Sequence, residues 1–146
     1  MDVTVKVRRY DSEAENPEPY WQEFTVSAED KSTVLDALIK IREDLDGALS
    51  LRCSCRSSIC GSCAVRVNGR ARLACKTQVS DVAGSDLSLV VEPAGVMPVV
   101  KDLVVDFGKF WEKIVAIEPY LQPQGPEPEG EYLASNESML HLSAVT

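Results

Sequence analysis

The sequence predicts an α+β domain, a compact sheet of short strands with one helix across a face, followed by a C-terminal helical and extended connector. Three observations carry this. Residues 3 to 8 alternate apolar and polar, an amphipathic segment with its own cap begins at Thr33, and short strand-like runs follow a cysteine-rich loop.

Val3-Thr4-Val5-Lys6-Val7-Arg8 has the period-2 pattern of a strand with one buried face. A second strand is expected over Trp21 to Val26, paired antiparallel with the first. Between them Asp11 to Pro19 is acidic, holds Pro17 and Pro19, and reads as the hairpin connection. Thr33 can cap a helix, and Asp36 three residues later can close the capping box. Val34, Leu38, Ile41 and Leu45 then share one helical face with Leu35 beside them, and Gly47 is a natural stop. After the cysteine loop, Ala64 to Val67, Arg70 to Ala74 and Leu87 to Val91 are three further strand candidates. Beyond Pro98 a helical stripe of Leu103, Phe107, Phe110, Ile114 and Ile117 is halted by Pro119, and it is expected to pack on the domain or on a partner. Residues 119–131 hold four prolines, two glycines and the acidic Glu127, Glu129 and Glu131, the composition of an extended connector.

The 146 residues suit one domain, or a domain of about 100 residues with an extension. No apolar run approaches the roughly 18 residues that a membrane-spanning helix needs. The N-terminus has the pattern of neither a signal nor a transit peptide, so the chain reads as cytosolic or already processed, and the sequon at Asn136-Glu137-Ser138 is put down to chance. A net charge of -8 speaks against binding nucleic acid. Between Gly47 and Ser80, however, stand Arg52, Arg56, Arg66, Arg70, Arg72 and Lys76 with no acidic residue. Removing this island's +6 leaves -14 for the rest.

Five cysteines without a secretion signal, four of them between positions 53 and 63, point to metal ligation rather than disulfides. Cys55, Cys60 and Cys63 form C-x4-C-x2-C, and Cys75 follows after eleven residues, which is the spacing of plant-type 2Fe-2S ligation. Three thiolates in nine residues can wrap a cluster only if the backbone curls around it. Gly61 and Ser62 add little bulk there, and inward amides can donate to sulfur. Asn68-Gly69 is a strong hairpin signal that returns Cys75 toward Cys63. Four thiolates, two sulfides and two ferric ions formally carry -2, and -3 when reduced. The basic island either offsets that charge and helps dock a partner, or is plain solvated surface. A four-thiolate zinc site is the rival, since Cys60-x2-Cys63 is half of a zinc knuckle, but the x4 and x11 spacings favour iron. Cys53 is left over and reads as a small buried apolar residue. His141 is the only histidine, so a Rieske centre with two histidine ligands is excluded. No catalytic triad, phosphate-cradling loop or paired catalytic carboxylates can be assembled, so the chain alone is expected to perform no bond chemistry.

Ser54-Cys55-Arg56, Ile59-Cys60-Gly61-Ser62-Cys63-Ala64, Asn68-Gly69, Leu73-Ala74-Cys75, Met97 to Val104 and Ile117-Glu118-Pro119-Tyr120-Leu121 together resemble the N-terminal half of the iron-sulfur subunit of succinate dehydrogenase and fumarate reductase. The resemblance implies a β-grasp, ferredoxin-like 2Fe-2S domain over residues 1–95. Residues 96–146 are then a helix and connector leading toward a domain with 4Fe-4S and 3Fe-4S clusters. It implies that a 2Fe-2S cluster takes electrons from the FAD of a flavoprotein subunit that oxidises succinate to fumarate, and passes them toward quinone at a membrane anchor. It also implies a peripheral place on the cytoplasmic side of the bacterial inner membrane, or on the matrix side in mitochondria. The segments around Pro98 and Pro119 count against the alternative, a freestanding plant-type ferredoxin. Two features depart from the family: Ser57-Ser58 stands where Glu-Gly is common, and no cysteine follows Cys75. The chain is therefore expected to be a fragment that reaches the flavin side of the relay but not quinone.

Overall fold

The structure is a computed structural model that describes all residues except Pro123, Gln124, Glu127, Pro128, Tyr132 and Thr146, together with the side chain of Val145. The expected connector over 119–131 thus lies partly outside the described residues. Two compact units are distinguished, Met1–Glu112 and Lys113–Thr146.

The first unit is built on a mixed five-stranded sheet. Strands β1 (Asp2–Arg9) and β2 (Tyr20–Ser27) pair antiparallel over their whole length, as their alternation predicts. Strands β3 (Ala64–Val67) and β4 (Arg70–Leu73) form a hairpin, and β5 (Ser88–Pro93) lies parallel to β1 and antiparallel to β3. The sheet order is β2-β1-β5-β3-β4. Val3, Val5, Val7, Val65, Val67, Leu89 and Val91 turn one face inward and are all but inaccessible to solvent. Against that face lies helix α1 (Val34–Lys40), burying Val34, Leu35, Ala37 and Leu38. Each buried valine or leucine side chain contributes about 1.5–3 kcal/mol by leaving water.

The helix starts with the expected capping box. The Asp36 N–H donates to Thr33 Oγ1 at 3.2 Å, and the Thr33 N–H donates to Asp36 Oδ2 at 2.9 Å. Its end differs from the expected stripe. The chain widens into a π-helical turn over Ile41–Leu45, in which the Asp46 N–H reaches back five residues to the Ile41 carbonyl. The wider turn rotates later positions off the α register, so Ile41 stays buried while Leu45 is 54% exposed.

The chain then returns to the same unit by a short helix α2 (Val79–Val82) and by a small ladder of β6 (Val99–Lys101) with β7 (Val104–Val105). Leu103, which the sequence places on a helical stripe, instead sits in the turn between β6 and β7 and is buried in the core. Helix α3 begins only at Gly108 and runs to Ile117, with none of its residues buried. Asp106 ends the strand region and accepts the Gly108 N–H through Oδ1. The first unit thus continues beyond residue 95, through Glu112. Within the second unit, helix α4 spans Asn136–Val145 and carries His141. Among the described residues no helix is long and apolar enough to cross a membrane.

A buried ionic cluster ties these pieces together. The Arg9 guanidinium, 4% exposed, donates from Nε to Asp102 Oδ1 at 2.8 Å and from Nη1 to Asp46 Oδ2 at 2.6 Å. Asp102 also accepts the N–H groups of Tyr10 at 3.2 Å and Ser50 at 2.8 Å. Burial alone would lower the Arg9 pKa, but the hydrogen bonds to Asp102 and Asp46 outweigh it and raise it. The bond from Arg9 in turn holds Asp46 below the ordinary carboxylate value.

Candidate metal centre

All five cysteines are free thiols, and Cys53, Cys55, Cys60 and Cys63 stand in the loop that joins the π turn to β3. The lead-in is fixed at Ser50, whose N–H donates to Asp102 and whose carbonyl accepts the Leu103 N–H at 3.2 Å. The Arg52 guanidinium then lies 5.4 Å from the centre of the Phe107 ring.

From Cys55 the backbone winds tightly, with positive φ at Arg56 (54°), Ser58 (62°) and Gly61 (70°). A Cβ on Gly61 would meet nothing within 4 Å, so what the position requires is the left-handed conformation rather than space. The winding turns three N–H groups toward one sulfur: Ser57 at 3.3 Å, and Ile59 and Cys60 at 3.4 Å each, all donate to Cys55 Sγ. Ser62 Oγ lies 3.1 Å from Cys60 Sγ.

The other side of the site comes from the β3–β4 hairpin. Asn68 (φ 49°) and Gly69 (φ 77°) make its turn, where two successive positive φ values suit the twist of a two-residue hairpin. The Asn68 side chain is bonded to the Val82 carbonyl and the Val90 N–H, which locks the turn to its neighbours. The Ala74 N–H then donates to the Cys63 carbonyl at 3.1 Å, bringing Cys75 back beside Cys63. The same segment serves the start of α1, since the Val34 and Leu35 N–H groups donate to the carbonyls of Thr77 and Ala74. The helix thereby holds the Cys75 turn in place.

The sequence-predicted thiols come together two by two, Cys55 with Cys60 and Cys63 with Cys75. Among the described residues no three metal-ligating side chains gather on a single point that could hold one metal ion. The Cys60 thiol is lowered to about 6 by its hydrogen bonds with Ser62 and Cys55. Burial pushes the Cys63 thiol up. Burial would also raise Cys75, but the Cys63 thiol and the N–H and O–H of Ser58 bring it below the ordinary thiol value. Cys60 and Cys75 are thus shifted toward the thiolate, the form in which cysteine ligates metal. Cys53 packs against the core, and His141 lies in the other unit. Of the basic island, Arg52, Arg56, Arg70, Arg72 and Lys76 are exposed, while Arg66 lies 3.9 Å from Glu92.

Sequence reasoning did not identify Asp102 as the anchor of the cysteine loop. A buried carboxylate 52 residues from its Ser50 partner leaves no periodic signal.

Over residues 4–112 the chain matches the family described as 2Fe-2S iron-sulfur cluster binding domain. It is similar to the fumarate reductase iron-sulfur subunit of Haemophilus influenzae, 40% identical over 82% of this chain and 45% of that protein. The fumarate reductase iron-sulfur subunit of Mycobacterium tuberculosis is 39% identical over 89% and 52%. The mitochondrial succinate dehydrogenase (ubiquinone) iron-sulfur subunit of Dictyostelium discoideum is 38% identical over 98% and 50%. The chain therefore spans about half the length of the curated relatives it matches. Among solved structures, a chain of the Mycobacterium smegmatis Sdh1 complex in the apo form superimposes with a TM-score of 0.77 at 32% identity, covering 93% of this chain and 54% of that one.

Proposed function

Given that this chain belongs to the family of 2Fe-2S iron-sulfur cluster binding domains, we propose that Cys55, Cys60, Cys63 and Cys75 hold the cluster and that the protein relays single electrons. The electrons come from the FAD of a succinate dehydrogenase or fumarate reductase flavoprotein and pass on toward quinone, in a complex that includes a membrane anchor. The chain is then a peripheral part of that complex, on the cytoplasmic side of a bacterial inner membrane or the matrix side of a mitochondrial one.

The observation that carries the ligand assignment is the wound loop, which aims three N–H groups at Cys55 Sγ while the four thiols stand in two pairs. A zinc site needs four thiolates around one ion, whereas a binuclear iron centre takes two thiolates per iron. When bound, the cluster supplies a one-electron couple. The protein supplies the rest: N–H and O–H groups that stabilise negative charge on sulfur, and a helix that fixes the Cys75 turn. The assignment to a complex rather than to a freestanding ferredoxin is supported by relatives that are subunits and align with 82–98% of this chain.

The test is a visible and EPR spectrum of the anaerobically purified chain, before and after dithionite, with iron and sulfide counted. About two irons and two sulfides per chain and a rhombic signal only after reduction are expected. A colourless protein holding one zinc overturns the proposal. For the relay itself, mixing with a succinate-reduced flavoprotein should bleach the chain, and no bleaching would reject that partner.

A further inference from the structure

Ser58 is held at φ 62°, a conformation that suits glycine and is disfavoured for a residue with a side chain. The residue is exposed, so no core packing rewards this geometry. What the geometry achieves is reach: Ser58 Oγ lies 3.9 Å from Cys75 Sγ, within range of a hydrogen bond to sulfur. No such hydroxyl would be available from glycine, the residue the backbone prefers.

We propose that Ser58 is a potential-setting residue, whose O–H donates to the Cys75 sulfur and stabilises the reduced site. This rests on the reading that Cys75 is a cluster ligand. Either atom of the pair could donate in a free thiol, but a ligating thiolate has no proton, so the hydroxyl must be the donor. Reduction brings in one electron from the donor, turns one ferric ion ferrous and takes the formal charge from -2 to -3, with no bond broken and no proton moved. Part of the added charge falls on the sulfurs, so an O–H aimed at one of them interacts more strongly after reduction than before. That difference raises the potential.

Two variants of the full, cluster-loaded chain separate hydroxyl from strain. Ser58→Gly removes the O–H and relieves the backbone, while Ser58→Ala removes the O–H and keeps the strained φ. Both should lower the midpoint potential by a similar amount in an EPR-monitored redox titration, with iron and sulfide content unchanged. The expected size is roughly a tenfold fall in the reduced-to-oxidised ratio at a given poise, or about 59 mV for a one-electron couple. An unchanged potential in either variant overturns the role of Ser58, and a shift confined to Ser58→Gly would trace the effect to the relieved backbone instead of the hydroxyl. A wild-type chain that holds no two-iron cluster overturns the underlying ligand assignment instead.

Discussion

Cys60 and Cys63 are three positions apart yet differ sharply in acidity. Exposed Cys60 has its thiol lowered to about 6 by Ser62 and Cys55, whereas burial raises Cys63. In the cluster-free chain Cys60 should therefore be the thiolate at pH 7. Timed iodoacetamide labelling with peptide mapping should find it alkylated before Cys63, with a rate that climbs through about pH 6; equal labelling at pH 7 would contradict this. The spacing of the four ligand candidates was legible because thiolates that share a cluster must be close in sequence or joined by a hairpin. The resemblance put the hydroxyls of Ser57 and Ser58 beside the site, but the contact of Ser62 was not legible, since a serine in a polar loop has the same composition whether it faces water or sulfur. The resemblance marked Ser57-Ser58 as a departure, but only the positive φ of Ser58 and its 3.9 Å approach to Cys75 show what the second serine reaches.

At the scale of elements, β1, β2, the start of α1 and the β3–β4 hairpin were all legible, because each rests on a local rule: alternation, a capping box, an Asn-Gly turn. Thr33→Ala removes the side-chain half of the cap and should cost about 1 kcal/mol in urea unfolding. Gly69→Val puts a β-branched residue at φ 77° and should cost at least roughly 1–2 kcal/mol; a variant as stable as the parent would show that the turn has rearranged. The elements that escaped were those governed by distant partners. Leu45 was assigned to the buried stripe by a 3.6-residue period that stops applying at the π turn. That turn carries Asp46 to Arg9, a need set by β1 and invisible in the helix's own sequence. Leu103 likewise fitted a helical stripe, but its N–H is taken by Ser50 and its side chain by the core.

At the scale of the molecule, the cluster of Arg9 with Asp46 and Asp102 sets a pH response. Asp46 has a depressed pKa in the fold, so its contribution is complete above the ordinary carboxylate value of about 3.9 and is lost as pH falls through the lowered one. Wild type should therefore exceed Asp46→Asn in stability at pH 7, and the gap should close below about pH 4. Asp102→Ala, which strips the buried guanidinium of its Nε partner, should cost about 3–5 kcal/mol. The same carboxylate has a consequence for where the chain can be cut. Arg9 is contributed by the first strand, yet one of its two carboxylate partners comes from position 102, after the sheet is already complete. A version ending soon after β5 would contain all five thiols, yet its buried guanidinium would keep only the Asp46 carboxylate of the two, and the tether on Ser50 would be gone. The first unit is thus closed, like a clasp, by residues that lie beyond its last sheet strand.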